Sequence, residues 1–429
     1  MSPTRRAAWV MAAGALVAVL SPLLAAVWIV GVFGIVAWDA ARVRVAPTVR
    51  RGVSGLVVRG VPSTLTIAVG GAGASPVDLR QAVPADLVLT PDQAEGAGDG
   101  PAGPHLDGVL VARRRGRHRL PPVAVRLTGP LGLGRWTHHA GGTDDVVVYP
   151  DVPGALRLAR SIRTNQFDAP GGSVRGPFGL GTDLEAVRDY LPDDDIRLVN
   201  WPATARLDRP MSNQFRVEQS RSVMLAVDTG RLMAAPLPVG GPGSEGEATR
   251  LDLAVDAAVA VGLAADALGD LAGVLAFDER VHRRLEPRHH AGQAIIRAVY
   301  DLEPRSVDSD FERAFQGLAA GKRKVVVLWT DLLDEAAARP LLDAMRILAR
   351  RHAVVVASVV DPVLEQAVSN GWVDRNALYR AAAAADLLAA RARTVALIRH
   401  TGADVVEARP DALAAASVRA YLRVKARGR

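Results

Sequence analysis

A multidomain chain is expected, made of an N-terminal transmembrane helical hairpin, a β-sandwich-like region, and a domain built on a parallel α/β sheet. Three observations predict it. An almost unbroken apolar block runs from Ala7 to Trp38; short β-branched runs separated by Gly, Pro and Asp continue to about Pro150; beyond Arg221, strand-like apolar runs alternate with longer helical patterns. With 429 residues there is room for two or three domains, each with its own core. The composition shifts put the boundaries at 1–42, 43–150, 151–219 and 220–429.

The apolar block is interrupted only by Ser21-Pro22 and is flanked by Arg5 and Arg6 on one side and by Arg42, Arg44, Arg50 and Arg51 on the other. Crossing a bilayer takes about 20 apolar residues. The block therefore fits either one long kinked helix or two short helices turning at Ser21-Pro22, and the positive charge on both flanks favours the hairpin. Both ends would then face the cytoplasm and carry the rest of the chain with them. A cleaved signal peptide fits less well, because the apolar run exceeds a usual signal-peptide core.

From Val43 onward the runs GLVVRG, STLTIAV, ADLVLT, GVLVARRRGRHRL, PVAVRLTG and DDVVVYP read as strands separated by turns, an immunoglobulin-like antiparallel sandwich. The basic run Arg113 to Arg119 reads as an exposed edge strand. After Arg221 the segments VMLAVD, LAGVLAF, KVVVLWTD, AVVVASVVD and ADVVEA alternate with helical stretches, the pattern of a parallel sheet covered on both faces. Such sheets present ligands at the carboxyl ends of their strands, where Asp228, Asp278, Asp331 and Asp361 fall.

Charge narrows the range of partners. The net charge is +7, yet between Arg175 and Asp228 seven basic residues face nine acidic ones, a balance that suits ion pairing and not a phosphate track. Nucleic acid is not an expected partner. Of the 52 basic residues 49 are arginine, with Lys322, Lys324 and Lys425 the exceptions, a skew that fits a GC-rich genome. The absence of cysteine excludes disulfides, thiolate metal sites and cysteine nucleophiles.

The sharpest chemical signal is a set of oxygen ligands at strand ends. A hard cation such as Mg²⁺ is held by carboxylates and hydroxyls converging from neighbouring loops, and Asp228, Ser309, Asp310, Thr330 and Asp331 are placed to supply them. The stretch Asp228-Thr229-Gly230-Arg231-Leu232 resembles the metal-ion-dependent adhesion site of von Willebrand factor A-type, Rossmann-like domains, whose first strand ends in Asp-x-Ser-x-Ser. Gly230 and Leu232 stand where the two serines belong. The candidate ligands are Asp228, Ser309 and Asp331, in competition with ordinary roles in loop capping and arginine pairing. Other chemistry fails on spacing. Gly317 to Arg323 is one residue short of a phosphate-binding loop and has arginine at the Mg²⁺-holding position, no G-x-S-x-G elbow occurs, and the pairs His138-His139 and His289-His290 lack the spacing of a zinc site.

A family resemblance becomes specific between Arg175 and Arg206. Arg175-Gly176, Gly179, Gly181-Thr182-Asp183, Arg188-Asp189-Tyr190-Leu191-Pro192, Asp194-Asp195-Ile196-Arg197 and Asn200-Trp201-Pro202-Ala203-Thr204-Ala205-Arg206 resemble the signature of the domain of unknown function 58 family. Asp193 replaces an expected glycine and Asn200 a common aspartate. The resemblance implies a bacterial or archaeal membrane protein with a von Willebrand factor A-like domain, encoded beside a MoxR-type AAA+ ATPase and acting with it in assembly or maturation of client proteins. It also marks Arg175, Asp183, Arg188, Tyr190, Asp194, Asp195, Arg197, Trp201, Thr204 and Arg206 as signature and interaction residues. The expectation is a membrane-anchored, non-enzymatic adaptor with its soluble part in the cytoplasm; the alternative is an extracytoplasmic Mg²⁺-dependent binding module or hydrolase using Asp228 and Asp331.

Overall fold

The computed structural model describes residues 1–53, 55–73, 75–97, 104–164, 178–191, 195–216, 221–239, 246–318, 322–332, 335–369 and 374–427. The signature residues Arg175 and Asp194 lie outside them, and Asp183 is described in its backbone alone. The chain divides into two units, Met1–Pro150 and Asp151–Arg429.

In the first unit the apolar block forms two helices, α1 (Arg5–Leu20) and α2 (Pro22–Arg42), broken where Ser21 turns extended ahead of Pro22. α2 alone is long and apolar enough to cross a membrane among the described residues. The 16 residues of α1 rise about 24 Å, short of a hydrocarbon core of about 30 Å, so the expected transmembrane hairpin is not present. Trp28 of α2 lies across α1, its indole N–H donating to the Val10 carbonyl at 3.1 Å.

The rest of this unit is β-structure in sheets of five, four and three strands. Hydrophobic alternation drives it: in Ser63–Gly70 the side chains of Leu65, Ile67 and Val69 point inward while their neighbours face solvent. Leu65 and Ile67 share one core with Leu106, Leu110, Val125 and Val146 from other strands. α2 is fastened to this β-structure. The Asp39 carboxylate, fully buried, accepts from the backbone N–H groups of Leu131, Leu133 and Gly134, each at 2.8 Å. Gly134 is required there, because a β-carbon would collide with the Val36 carbonyl and the Ala40 backbone of the helix.

The second unit is organised on a six-stranded sheet of β1 (Ser222–Asp228), β2 (Leu271–Phe277), β3 (Val281–Arg288), β4 (Val325–Trp329), β5 (Ala353–Val359) and β6 (Asp404–Ala408), in the order β3-β2-β1-β4-β5-β6. All neighbours are parallel except β3, which pairs antiparallel with β2. The wholly parallel expectation missed β3 because VHRRLEPR carries three arginines and a proline and is largely exposed, as suits an edge strand.

Because successive strand residues face opposite ways, the apolar run of β1 serves two cores. Val223, Leu225 and Val227 pack on one face and Met224 and Ala226 on the other. The first face is covered by α3 (Val152–Arg163), α5 (Arg250–Ala267), α6 (Gly292–Val299) and α11 (Leu413–Arg427); the second by α7 (Phe311–Gln316), α8 (Glu335–Arg351) and α10 (Arg375–His400). α4 (Trp201–Leu207) and α9 (Pro362–Ser369) complete the described helices. α5 is apolar around nearly its whole circumference, hence buried, and starts in a capping box in which Thr249 and Asp252 satisfy each other's backbone N–H groups.

Candidate functional site

Parallel pairing brings the carboxyl ends of β1, β2, β4 and β5 to one rim, and with them Asp228, Asp278, Asp331 and Asp361. The four do not share one site. Asp228 is buried and both its oxygens are hydrogen-bonded: Oδ1 accepts from Gly230 N–H at 2.8 Å and the Ser309 hydroxyl at 2.5 Å, and Oδ2 accepts from the Thr330 hydroxyl at 2.6 Å. Asp278 faces a separate set, accepting from His282 Nε2 at 2.5 Å and pairing with Arg305 at 3.7 Å. Asp310, another candidate oxygen ligand, caps α7 through the Arg313 N–H at 2.9 Å.

Ser309 lies against Gly230. A β-carbon added to Gly230 would collide with the Ser309 hydroxyl oxygen, so that oxygen fills the space a residue-230 side chain would take. The same hydroxyl donates to Asp228, so a residue from another loop meets this carboxylate. Asp331 does not join it. It accepts from Arg250 Nη1 at 2.5 Å and Arg391 Nη1 at 3.3 Å, while Arg391 also donates to Glu407, Ser358 and the Val359 carbonyl at 2.7, 2.7 and 2.8 Å. The expected ligand trio therefore separates into Asp228 with Ser309 on one side and an arginine-clamped Asp331 on the other. Among the described residues no cluster of three or more His, Asp or Glu is arranged to hold a metal. The pocket beside Asp331, lined by Arg250, Thr330 and Ser358, is about 10 Å³, far below the size of a ligand site.

Burial raises the pKa of Asp228 above the ordinary carboxylate value of 3.8; its three hydrogen bonds oppose this and the neighbouring Asp278 charge adds to it. A carboxyl with a raised folded-state pKa contributes stability that is fully present below 3.8 and lost as pH rises through the folded value. Asp228→Asn is accordingly expected to raise the denaturation midpoint at pH 7 and to flatten its decline with pH. Asp228→Ala, which strands the two hydroxyls and the Gly230 N–H, is expected to cost about 1–3 kcal/mol. Urea titrations of both variants between pH 4 and 8 check the pair; a lower midpoint for the asparagine variant at pH 7 contradicts the assignment.

The signature forms an arm of the antiparallel strands Phe178–Asp189 and Met211–Arg216, joined through α4. Its polar residues hold its own backbone in place. Asp195 accepts from Arg197 N–H at 3.0 Å, Asn200 caps α4 through Ala203 N–H at 2.9 Å and donates to Asn213 at 2.7 Å, and the Thr204 hydroxyl accepts from Met211 N–H at 3.0 Å. Arg188 donates to the Asp189 carbonyl at 2.9 Å, and the backbone N–H of Tyr190 donates to the Pro210 carbonyl at 2.9 Å. Of the ion pairing expected of this stretch, Arg209 and Asp189 form a pair at 3.3 Å, and it is exposed. Arg197 and Arg206 are exposed as well. The apolar side chains also face outward: Trp201 is 67% exposed, Ile196 69%, Leu191 54% and Leu207 53%.

Residues 186–378 match the family model described as Protein of unknown function DUF58. The DUF58 match begins inside the arm, spans Asp228, Ser309 and Asp331, and ends in the first turn of α10. Uncharacterized proteins of Mycobacterium bovis and of two Mycobacterium tuberculosis strains are 29% identical to the chain over 234 residues, which is 52% of this chain and 68% of theirs. A crystal structure of an uncharacterized membrane spanning protein from Vibrio fischeri aligns with 49% of this chain and 100% of its own, at 16% identity and a TM-score of 0.19, too low to establish a shared fold.

Sequence reasoning overlooked Arg250 and Arg391, which set the role of Asp331, and His282, which does the same for Asp278. The one local signal was His282, four residues after Asp278. Arg250 and Arg391 lie 81 and 60 residues from Asp331 and leave no local pattern.

Proposed function

We propose that this is a membrane-anchored, non-enzymatic adaptor whose signature arm docks a protein partner. The supporting observation is the outward exposure of four apolar side chains of this arm, Leu191, Ile196, Trp201 and Leu207, with Arg197, Arg206 and Arg209 exposed in the same segment. Exposed tryptophan, aliphatic and arginine side chains concentrated in one short segment are the composition of a protein interface, whereas a single exposed apolar side chain would need no explanation. The arm's own hydrogen bonds pre-order its described backbone, which lowers the entropic cost of docking. The family resemblance supplies the partner: a MoxR-type AAA+ ATPase, with the second unit acting as a von Willebrand factor A-like domain on the cytoplasmic side to recruit a client. The sheet order with its single antiparallel edge strand supports that reading of the domain.

The Mg²⁺-dependent alternative has in its favour the approach of Ser309 and Thr330 to Asp228. It lacks the second carboxylate, because Asp331 is engaged by two arginines.

The test uses the full chain in lipid nanodiscs with the host's purified MoxR-type ATPase, measuring recovery after mild crosslinking. The double substitution Trp201→Ala and Ile196→Ala is expected to reduce recovery by about thirtyfold, the loss of one interface hot spot, with an unchanged denaturation midpoint because both side chains are exposed. Equal recovery with wild type, or no recovery with either protein, rejects the proposal.

A further inference from the structure

The Asp39 latch bears on the arginines around it. An ionisable residue in an apolar helix usually marks an ion or proton pathway, yet Asp39 is saturated by three backbone N–H groups of the Leu131–Gly134 turn. The same turn holds the start of α1: Thr4 N–H donates to the Leu133 carbonyl at 2.9 Å, and the Thr4 hydroxyl donates to the Gly132 carbonyl at 2.7 Å. One turn therefore sets the first turn of α1 and the last turn of α2 at a common level. That level carries Arg5 and Arg6 from α1 and Arg42 and Arg44 from the end of α2, all exposed. Asp39 is the only acidic residue among the first 53, and its carboxylate is already occupied.

Tryptophans accompany the arginines. The Arg42 guanidinium lies 4.8 Å from the Trp38 ring and that of Arg44 lies 5.7 Å from the Trp136 ring. Tryptophan and arginine together at the end of an apolar helix are the composition of a membrane–water interface. Toward its other end α2 exposes Leu23, Val27, Val30 and Phe33, and its 21 residues rise about 31 Å, the thickness of a hydrocarbon core.

We infer that Arg5, Arg6, Arg42 and Arg44 form a binding collar for anionic phospholipid headgroups, held at the bilayer surface by the Asp39 latch. The inference rests on the membrane-anchor reading of α2. Guanidinium groups bind phosphate through forked hydrogen bonds, and four of them without a carboxylate neighbour on this segment favour phosphatidylglycerol over zwitterionic lipid. The latch gives the collar its geometry, because without it the two pairs of arginines would not be held level with each other.

The full chain is mixed with vesicles of phosphatidylcholine alone or with one-third phosphatidylglycerol, floated, and its retained lipids are counted by native mass spectrometry. Wild type is expected to float with both and to retain phosphatidylglycerol over phosphatidylcholine roughly tenfold above the bulk ratio, less in high salt. The quadruple variant Arg5→Gln, Arg6→Gln, Arg42→Gln and Arg44→Gln is expected to float equally well and lose the preference. Asp39→Asn is expected to float and retain most of the lipid but with the preference reduced, even though all four arginines are present. Equal retention of both lipids by wild type, or an undiminished preference in the quadruple variant, overturns the collar while leaving the anchor in place. Failure of wild type to float, with α2 buried in a dimer of the chain instead, overturns the anchor and the collar together.

Discussion

Asp270→Ala is expected to destabilise the second unit by about 3–5 kcal/mol, a large share of the roughly 5–15 kcal/mol that holds a typical domain together. Asp270 is fully buried directly before β2, and three donors from two other parts of the chain converge on its carboxylate. Oδ1 accepts from the Arg221 N–H at 2.7 Å, just ahead of β1; Oδ2 accepts from Lys425 Nζ at 2.6 Å and from the Tyr421 hydroxyl, both on α11. Burial, reinforced by the Asp270 charge and by the hydrogen bond itself, pushes the Tyr421 phenol well above its usual pKa of 10, so it remains a donor at any working pH. Truncating Asp270 leaves a buried phenol and a partly buried ammonium without their acceptor. Urea unfolding of the full chain reads the loss. Adding Tyr421→Phe and Lys425→Met to Asp270→Ala is expected to recover most of it, since removing a whole buried network costs less than removing one member. A loss below about 1 kcal/mol for the single variant contradicts this account.

Asp331→Ala is expected to cost a similar amount, about 3–5 kcal/mol, because Arg250 and Arg391 are nine-tenths buried and share that carboxylate. Glu407 at 2.7 Å from Arg391 and Asp361 at 3.9 Å from Arg250 keep part of the balance, so unfolding is not expected to be complete. The same variant separates the two readings of the rim. If Asp331 serves the arginines, the drop in midpoint is the same in EDTA and in excess Mg²⁺. A drop that appears only with Mg²⁺ would identify Asp331 as a metal ligand and remove the arginine-clamp account.

The parts of the fold legible in the sequence are those written in local periodicity. Val223 to Val227 is apolar at every position, and a strand reads that way only when helices cover both faces of its sheet. Ala7 to Trp38 is apolar for too long to serve as an ordinary core helix. β3 was hidden because an exposed edge strand has no inward face to mark it, and α1 was overvalued because the turn expected at Ser21-Pro22 leaves it only sixteen residues, too few to span a hydrocarbon core.

The candidate site divides along the same line. By itself the sequence determined that aspartates stand at the ends of parallel strands and that a dense signature precedes the sheet, since both follow from residue order. Only the tertiary structure decided what those groups meet: that Ser309 fills the space beside Gly230, that Asp331 faces Arg250 and Arg391, that Asp39 takes the Leu131–Gly134 turn, and that the signature's apolar side chains face outward. The physical reason is the range of the interactions. Strand and helix periodicity arises between neighbours a few residues apart, whereas the partner of a buried carboxylate is whichever donor the fold brings within about 3 Å, from any distance along the chain.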